Sequence, residues 1–265
     1  KKQSYSSMKY KFDKHILPFF ESMYLEDITS KTILEWEDYI LSCNFSNNHN
    51  KNLYYILSGF FEYCRIFYDF DKSIVSSIGC FKKKYEEDKH DFYTIDEFNK
   101  FIKCVDDEVY KQFFNLLFFT GMRPGEAMAL KFKDLSNGYI NISKTINSHG
   151  KREISTPKTL SSNRKVKVDK TLKRDLLNLR DFYSTECSVK DDLFIFGGSK
   201  PFSPTTINRR KQKACEKANI RPITLHQFRH SHATLLLQKG MMINEVSRRL
   251  GHSKVSTTLD IYSHT

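Results

Sequence analysis

"TGMRPGEAMAL", residues 120–130, is a corner between two kinds of chain. Upstream lies "VYKQFFNLLFF" (109–119), apolar on nearly every side, the pattern of a helix buried all round. Gly121 suits the left-handed position that closes such a helix, and Pro124 suits the first turn of the next one. Arg123 stands between them, so its side chain leaves from a rigid corner, and Glu126 three residues on is placed to hold it. Downstream the hydrophobic period changes. "GYINISKT" (138–145), "KREISTP" (151–157) and "RKVKVD" (164–169) alternate as strands do, with "NSHGK" and "KTLSSN" as the turns between them. Helical spacing then returns over 171–183, 205–218, 224–238 and 243–250. The fold class is therefore mainly α with a small antiparallel β-meander, an α+β chain.

Working further upstream, "TIDEFNKFIKCV" opens on Thr94 with Glu97 three residues later, the signature of a capping box. Before it, "CFKKKYEEDKHD" (80–91) is charged and has no apolar period, which reads as a linker. The first part of the chain carries apolar stripes over Ile33–Leu41 and Leu53–Phe67, and a shorter helix near Tyr10–Phe20 interrupted by Pro18. The expected organisation is a helical domain over 1–80, a linker over 81–92 and a second domain over 93–265.

Composition narrows the partner. Lys and Arg number 43 against 31 Asp and Glu, a net charge of +12 with a pI near 9.3, which points to a polyanion. Nucleic acid is the first candidate and an anionic membrane surface the second. The 6 cysteines are scattered with no C-x-x-C pair, which argues against a zinc ribbon or a disulfide framework and fits reduced thiols in a cytosol. No apolar run approaches the roughly 20 residues that cross a bilayer, and "KKQSYSSMKY" is not a signal peptide.

Two further segments carry chemistry. In "TLHQFRHSHAT" (224–234) His226 and Arg229 are three apart, so a helix puts them on one face. A metal site on His226, His230 and His232 lacks acidic or Cys partners nearby; an anion site, with Arg229 and His226 gripping a phosphate, is the other reading. The chain closes on "LGHSKVSTTLDIYSHT" (250–265), with His252 after a glycine and Tyr262 almost at the end.

"TGMRPGEA", "HQFRHSHAT", "LGHS" and "TTLDIYSH", in this order and spacing, resemble the tyrosine recombinase (phage integrase) family. "FYTIDEF" is similar to the opening of that family's catalytic domain, and "YKFDKHILPFF" with "LEDIT" to its core-binding domain. The resemblance implies roles by position. Arg123 and Arg229 clamp the scissile phosphate, His226 opens the His-x-x-Arg pair, and His252 lies near the nucleophile. Tyr262 is the nucleophile, Lys158 the general acid on the hairpin, and Glu126 a supporting acid. Lys151, Lys165 and Lys167 crowd the lysine assignment. Attack on a phosphodiester piles charge on its oxygens, and fixed guanidiniums with imidazole donors answer that charge. Nearby cations favour the Tyr262 phenoxide. The implied products are a DNA 3′-phosphotyrosine and a free 5′ hydroxyl, later rejoined to another 5′ end through a Holliday junction, with neither ATP nor a metal nor any other cofactor.

Double-stranded DNA is the implied partner, with other copies of the chain as a tetramer on two sites and accessory DNA-bending or directionality proteins. Lys82, Lys83 and Lys84 in the linker, with Arg209, Arg210, Lys211 and Lys213 on one helix, are the candidate phosphate contacts. The alternatives are a helix-turn-helix regulator, because "INEVSRRLGHSKVSTTLDIY" scans as helix, turn, helix, and a type IB topoisomerase. The expected setting is the bacterial cytoplasm, associated with the nucleoid. The family's arm-binding domain and the tail after the nucleophile are both absent, so truncation at both ends is expected.

Overall fold

The computed structural model describes residues 2–68, 74–79, 92–146, 154–156, 163–183 and 190–262. The chain divides into two compact units, 1–87 and 88–265. The expected linker falls outside the described residues up to position 91. No helix among the described residues is long and apolar enough to cross a membrane.

The first unit is helical: α1 (Lys2–His15), α2 (Leu17–Phe20), α3 (Ser30–Ser42), α4 (Asn47–Phe67) and α5 (Ile74–Ile78). Thr29 caps α3, accepting from the Thr32 amide, and Ser46 caps α4, accepting from the His49 amide. The core gathers Ile33, Trp36, Ile40, Leu53, Leu57 and Phe61, the inward stripes of α3 and α4. Trp36 is fully buried and donates its indole N–H to the His15 carbonyl at 3.1 Å. The first helix differs from expectation. It starts far earlier and stops at His15, and Pro18 lies in the first turn of the separate α2, where its missing N–H costs nothing.

The second unit holds α6 (Ile95–Lys103), α7 (Glu108–Thr120), α8 (Pro124–Met128), α9 (Lys170–Phe182), α10 (Pro204–Ala218), α11 (Gln227–Gln238), α12 (Ile243–Leu250) and α13 (Ser256–Tyr262). The Thr94–Glu97 capping box is formed on α6. Phe98, Phe101, Phe113, Phe114, Phe118 and Phe228 fill the core between α6, α7 and α11, with Phe98 and Phe118 stacked at 3.8 Å.

The strands are β1 (Leu135–Ser136), β2 (Tyr139–Ile142), β3 (Thr145–Ile146), β4 (Ile154–Ser155) and β5 (Arg164–Lys167). They do not make one meander. β2 pairs with β1 and with β5, while β3 and β4 form a separate antiparallel ladder. The stretch expected as one strand, 138–145, is divided because its end packs on α8. Gly125 permits that approach: a Cβ there would lie 2.6 Å from the Ile146 carbonyl oxygen.

Candidate active site

The corner read first in the sequence is built as its residues suggest. Gly121 ends α7 at φ +65°, and a Cβ on it would meet Leu250 at 2.5 Å and His232 at 2.7 Å. This close approach lets α11 and α12 pack against the end of α7. The Gly121 carbonyl then accepts a hydrogen bond from Arg229 Nη1 at 2.9 Å.

Arg229 sits on α11 with 1% of its surface exposed. Its other arm, Nη2, is buried and has no hydrogen-bond partner among the described residues. Burial, then the charges of Arg123 and Arg164, pull its pKa down to about 9. A guanidinium N–H left without a partner inside a folded chain is costly, and an anion is what would satisfy it.

Arg123 is held by Glu126. Its Nη1 donates to Glu126 Oε1 at 2.9 Å, its backbone N–H to Oε2 at 2.9 Å, and its Nη2 to the Gly251 carbonyl at 3.4 Å. The side chain keeps 35% of its surface exposed while Glu126 keeps 1%. The same carboxylate takes a second arginine that the sequence reading passed over. Arg164 Nη1 donates to Oε1 at 3.1 Å and Nη2 to Oε2 at 2.9 Å. Burial alone would raise the Glu126 carboxyl; hydrogen bonds and charge from Arg164, then from Arg123, outweigh it and hold the pKa below the ordinary value.

His226 occupies the N-cap of α11, where Thr224 and Gln227 bracket it with reciprocal bonds of 2.5 and 3.3 Å. The residue is exposed. Desolvation of its ring, followed by the charges of Arg229 and Arg123, sets its pKa below the usual imidazole value. His230 meets it edge to face at 5.1 Å. His252 follows Gly251, and its Nδ1 shares a 2.8 Å hydrogen bond with the hydroxyl of the fully buried Thr258. Desolvation, then Arg229, Arg123, His226 and His230, lower the His252 pKa to about 3, so the ring is neutral at pH 7. Arg123, His226, Arg229 and His252 thus lie within reach of one another's charge.

α13 packs on α11 and α12. Tyr262 ends it, four residues beyond Thr258. The Tyr262 side chain lies outside the described residues, as do Lys158 and Lys82, Lys83 and Lys84. Lys165 and Lys167 are exposed on β5, opposite buried Val166.

Position decides between two open readings of the histidines and corrects one of the basic helix. The set His226, His230 and His232 does not converge, because His232 is buried with Nδ1 at 2.9 Å from the Phe118 carbonyl and Nε2 accepting from Arg249 at 3.1 Å. Lys211 does not face a polyanion: it is buried, and its ammonium donates to the Ile223 carbonyl. Ile207, Lys211, Ala214 and Cys215 form the inward stripe of α10, so the spacing itself marked Lys211 as internal. Arg210 is partly committed to Asp107 at 3.6 Å and lies over the Tyr110 ring. Arg209 and Lys213 are exposed.

A two-unit chain whose second unit brings arginines and imidazoles together, with a tyrosine at the end of the helix packed on α11 and α12, defines a class. Residues 91–265 match the phage integrase family, and residues 1–41 match the phage integrase N-terminal SAM-like domain. The chain belongs to the phage integrase family, the tyrosine recombinases. It is 30% identical to the ICEBs1 integrase of Bacillus subtilis over 274 aligned residues, covering 98% of this chain and 73% of that protein. It is 34% identical to the integrase of Staphylococcus phage L54a over 158 residues, covering 55% of this chain and 45% of that one. Among solved structures, the Tn1549 transposon integrase in complex with transposon right end DNA superposes with a TM-score of 0.80 at 19% identity, covering 98% of this chain and 90% of that one. A lambda integrase dimer bound to a COC′ core site gives 0.76 at 18% identity, covering 98% and 88%.

Proposed function

We propose that this chain is the site-specific DNA recombinase of a mobile element, cutting and rejoining strands through a phosphotyrosine intermediate. One observation carries the reading: a buried guanidinium, Arg229, whose Nη2 has no partner among the described residues, with Arg123, His226 and His252 within reach of its charge. That is a socket for a single anionic group, and a phosphodiester fits its charge.

The proposed step balances as follows. The Tyr262 phenolic oxygen attacks phosphorus, and its proton goes to His226, whose ring is neutral. The bond from phosphorus to the 5′ oxygen breaks, and Lys158 gives that oxygen a proton. Arg123 and Arg229 hold the two nonbridging oxygens as charge builds on them. With its proton on Nε2 and Thr258 donating to Nδ1, His252 adds a neutral donor. A 5′ hydroxyl of a second strand reverses the step and frees Tyr262.

The lambda integrase is found as a dimer on its core site and as a tetramer bound to a Holliday junction. We assign this chain the same kind of partners, duplex DNA and further copies of itself, in the bacterial cytoplasm at the nucleoid. Incubation with nicked core-site DNA should give a protein–DNA adduct on a denaturing gel, absent in Tyr262→Phe. Mobility shifts without any adduct in the unmodified chain would instead make it a DNA-binding regulator.

A further inference from the structure

We propose that Arg164 is a positioning residue for strand cleavage, locking Glu126 and the turn that carries His252 into one frame before DNA arrives. The inference rests on the recombinase reading above, and on a ring of hydrogen bonds that no local motif announces. Arg164 stands at the start of β5 with 7% of its side chain exposed. Both its terminal nitrogens go to Glu126, and its Nε donates to the Arg249 carbonyl at 2.9 Å. Glu126 passes the constraint to Arg123, and Arg123 Nη2 returns it to the Gly251 carbonyl. Arg249 and Gly251 flank the residue at which α12 ends, and His252 follows directly. The ring therefore closes from β5 through α8 to the α12–α13 turn, and what it fixes, the Arg123 guanidinium and the backbone leading into His252, belongs to the residues that share charge with Arg229.

The chemistry of the pair favours geometry over stability as its purpose. A buried Arg–carboxylate pair gives little net stability, since desolvation offsets most of the attraction. What it gives is direction: the planar fork meets both carboxylate oxygens at once and leaves Nε for a third acceptor. Lysine supplies the charge without that fork. Arg249 extends the frame, donating Nε to His232 and Nη2 to the Phe119 and Lys167 carbonyls.

The test compares Arg164→Lys and Arg164→Met in the full chain, reading three quantities. Single-turnover adduct formation on nicked DNA should fall about a hundredfold in both, as small misplacements of reacting groups do, while DNA affinity stays unchanged. Hydrogen exchange should quicken at the Gly251 and His252 amides, which are bonded to Ser247, with α7 protection intact. In a Glu126→Gln background, Arg164→Met should add little further loss, because the two act as one unit. Arg164→Lys decides the matter if Arg164→Met does not fold. Unaltered exchange at the turn, or losses that simply multiply with Glu126→Gln, would overturn the proposal. If the unmodified chain forms no adduct, the recombinase reading fails, and the exchange measurement still decides whether Arg164 positions the turn.

Discussion

Arg229 is the residue on which the proposed site turns. One arm of its guanidinium is spent on the Gly121 carbonyl and the other is buried without a partner among the described residues. A lysine at this position can satisfy one acceptor and not two. Arg229→Lys should therefore keep the fold, because the Gly121 bond survives, and lose cleavage by about 10²–10³-fold, the usual effect of removing one donor to a developing oxyanion. Single-turnover adduct formation beside a thermal melt separates the two effects; an undiminished rate would mean that Nη2 is not the phosphate's donor. The pairing of Arg123 with Glu126 and the placing of His226 and Arg229 at one helix start were legible in the sequence because these relations are local, three residues apart. Arg164 was not, since its partner lies 38 positions away. A signal was nevertheless present. In "RKVKV" the strand alternation puts Arg164 on the face of Val166 and Val168, both buried, and an arginine on a core face must find a carboxylate.

Elements show the same division. The capping box at Thr94 and the glycine corner after α7 are written in a few adjacent residues and could be read directly. Strand partners could not, because alternation identifies a strand and says nothing of its neighbour; β5 came to lie beside β2, and β4 beside β3. α10 illustrates the cost of counting charges without their period. Read as a basic run it offers Arg209, Arg210, Lys211 and Lys213 to DNA; read as a helix it buries Lys211 in its inward stripe. The two readings separate in a salt titration. Removing a cation that neutralises one phosphate should flatten the log–log dependence of DNA affinity on salt by about 0.9. Arg209→Ala and Lys213→Ala should each do so. Lys211→Met, which removes a charge of the same sign from the same helix, should leave the slope unchanged. A flattened slope in Lys211→Met would show that its ammonium leaves the Ile223 carbonyl to meet DNA.

At the scale of the whole molecule, a chain of net charge +12 places Arg123 and Arg164 on the shared carboxylate of Glu126, with the charge of Arg229 felt beside them and Arg249 near Arg164. His232 and His252 stay neutral in that field, and this makes stability depend on pH in a definite direction. His232, buried between the Phe118 carbonyl and Arg249, has its pKa pushed from 6.5 to about 3, first by desolvation and then by the charge of Arg249; His252 is lowered to about 3 as well. Between those values the unfolded chain binds protons that the folded chain refuses, so stability falls as pH drops from 6.5 toward 3. Glu126 acts with the same sign in a lower window. Its folded pKa is depressed below 4.5, so its contribution is complete above 4.5 and is lost as pH falls through the folded value. A comparison of pH 7 with pH 5 therefore leaves Glu126 out. His232 alone should lose the fold about 2 kcal/mol over that interval. His232→Asn keeps a donor for the Phe118 carbonyl and has nothing to titrate. Urea unfolding followed by circular dichroism at the two pH values should show a smaller loss for His232→Asn by about that amount. Trp36, the single tryptophan, lies in the core of the first unit, so its fluorescence follows that unit and should not register the substitution. An equal pH dependence in both proteins would mean that His232 takes up its proton in the folded state, which the Arg249 guanidinium beside it forbids.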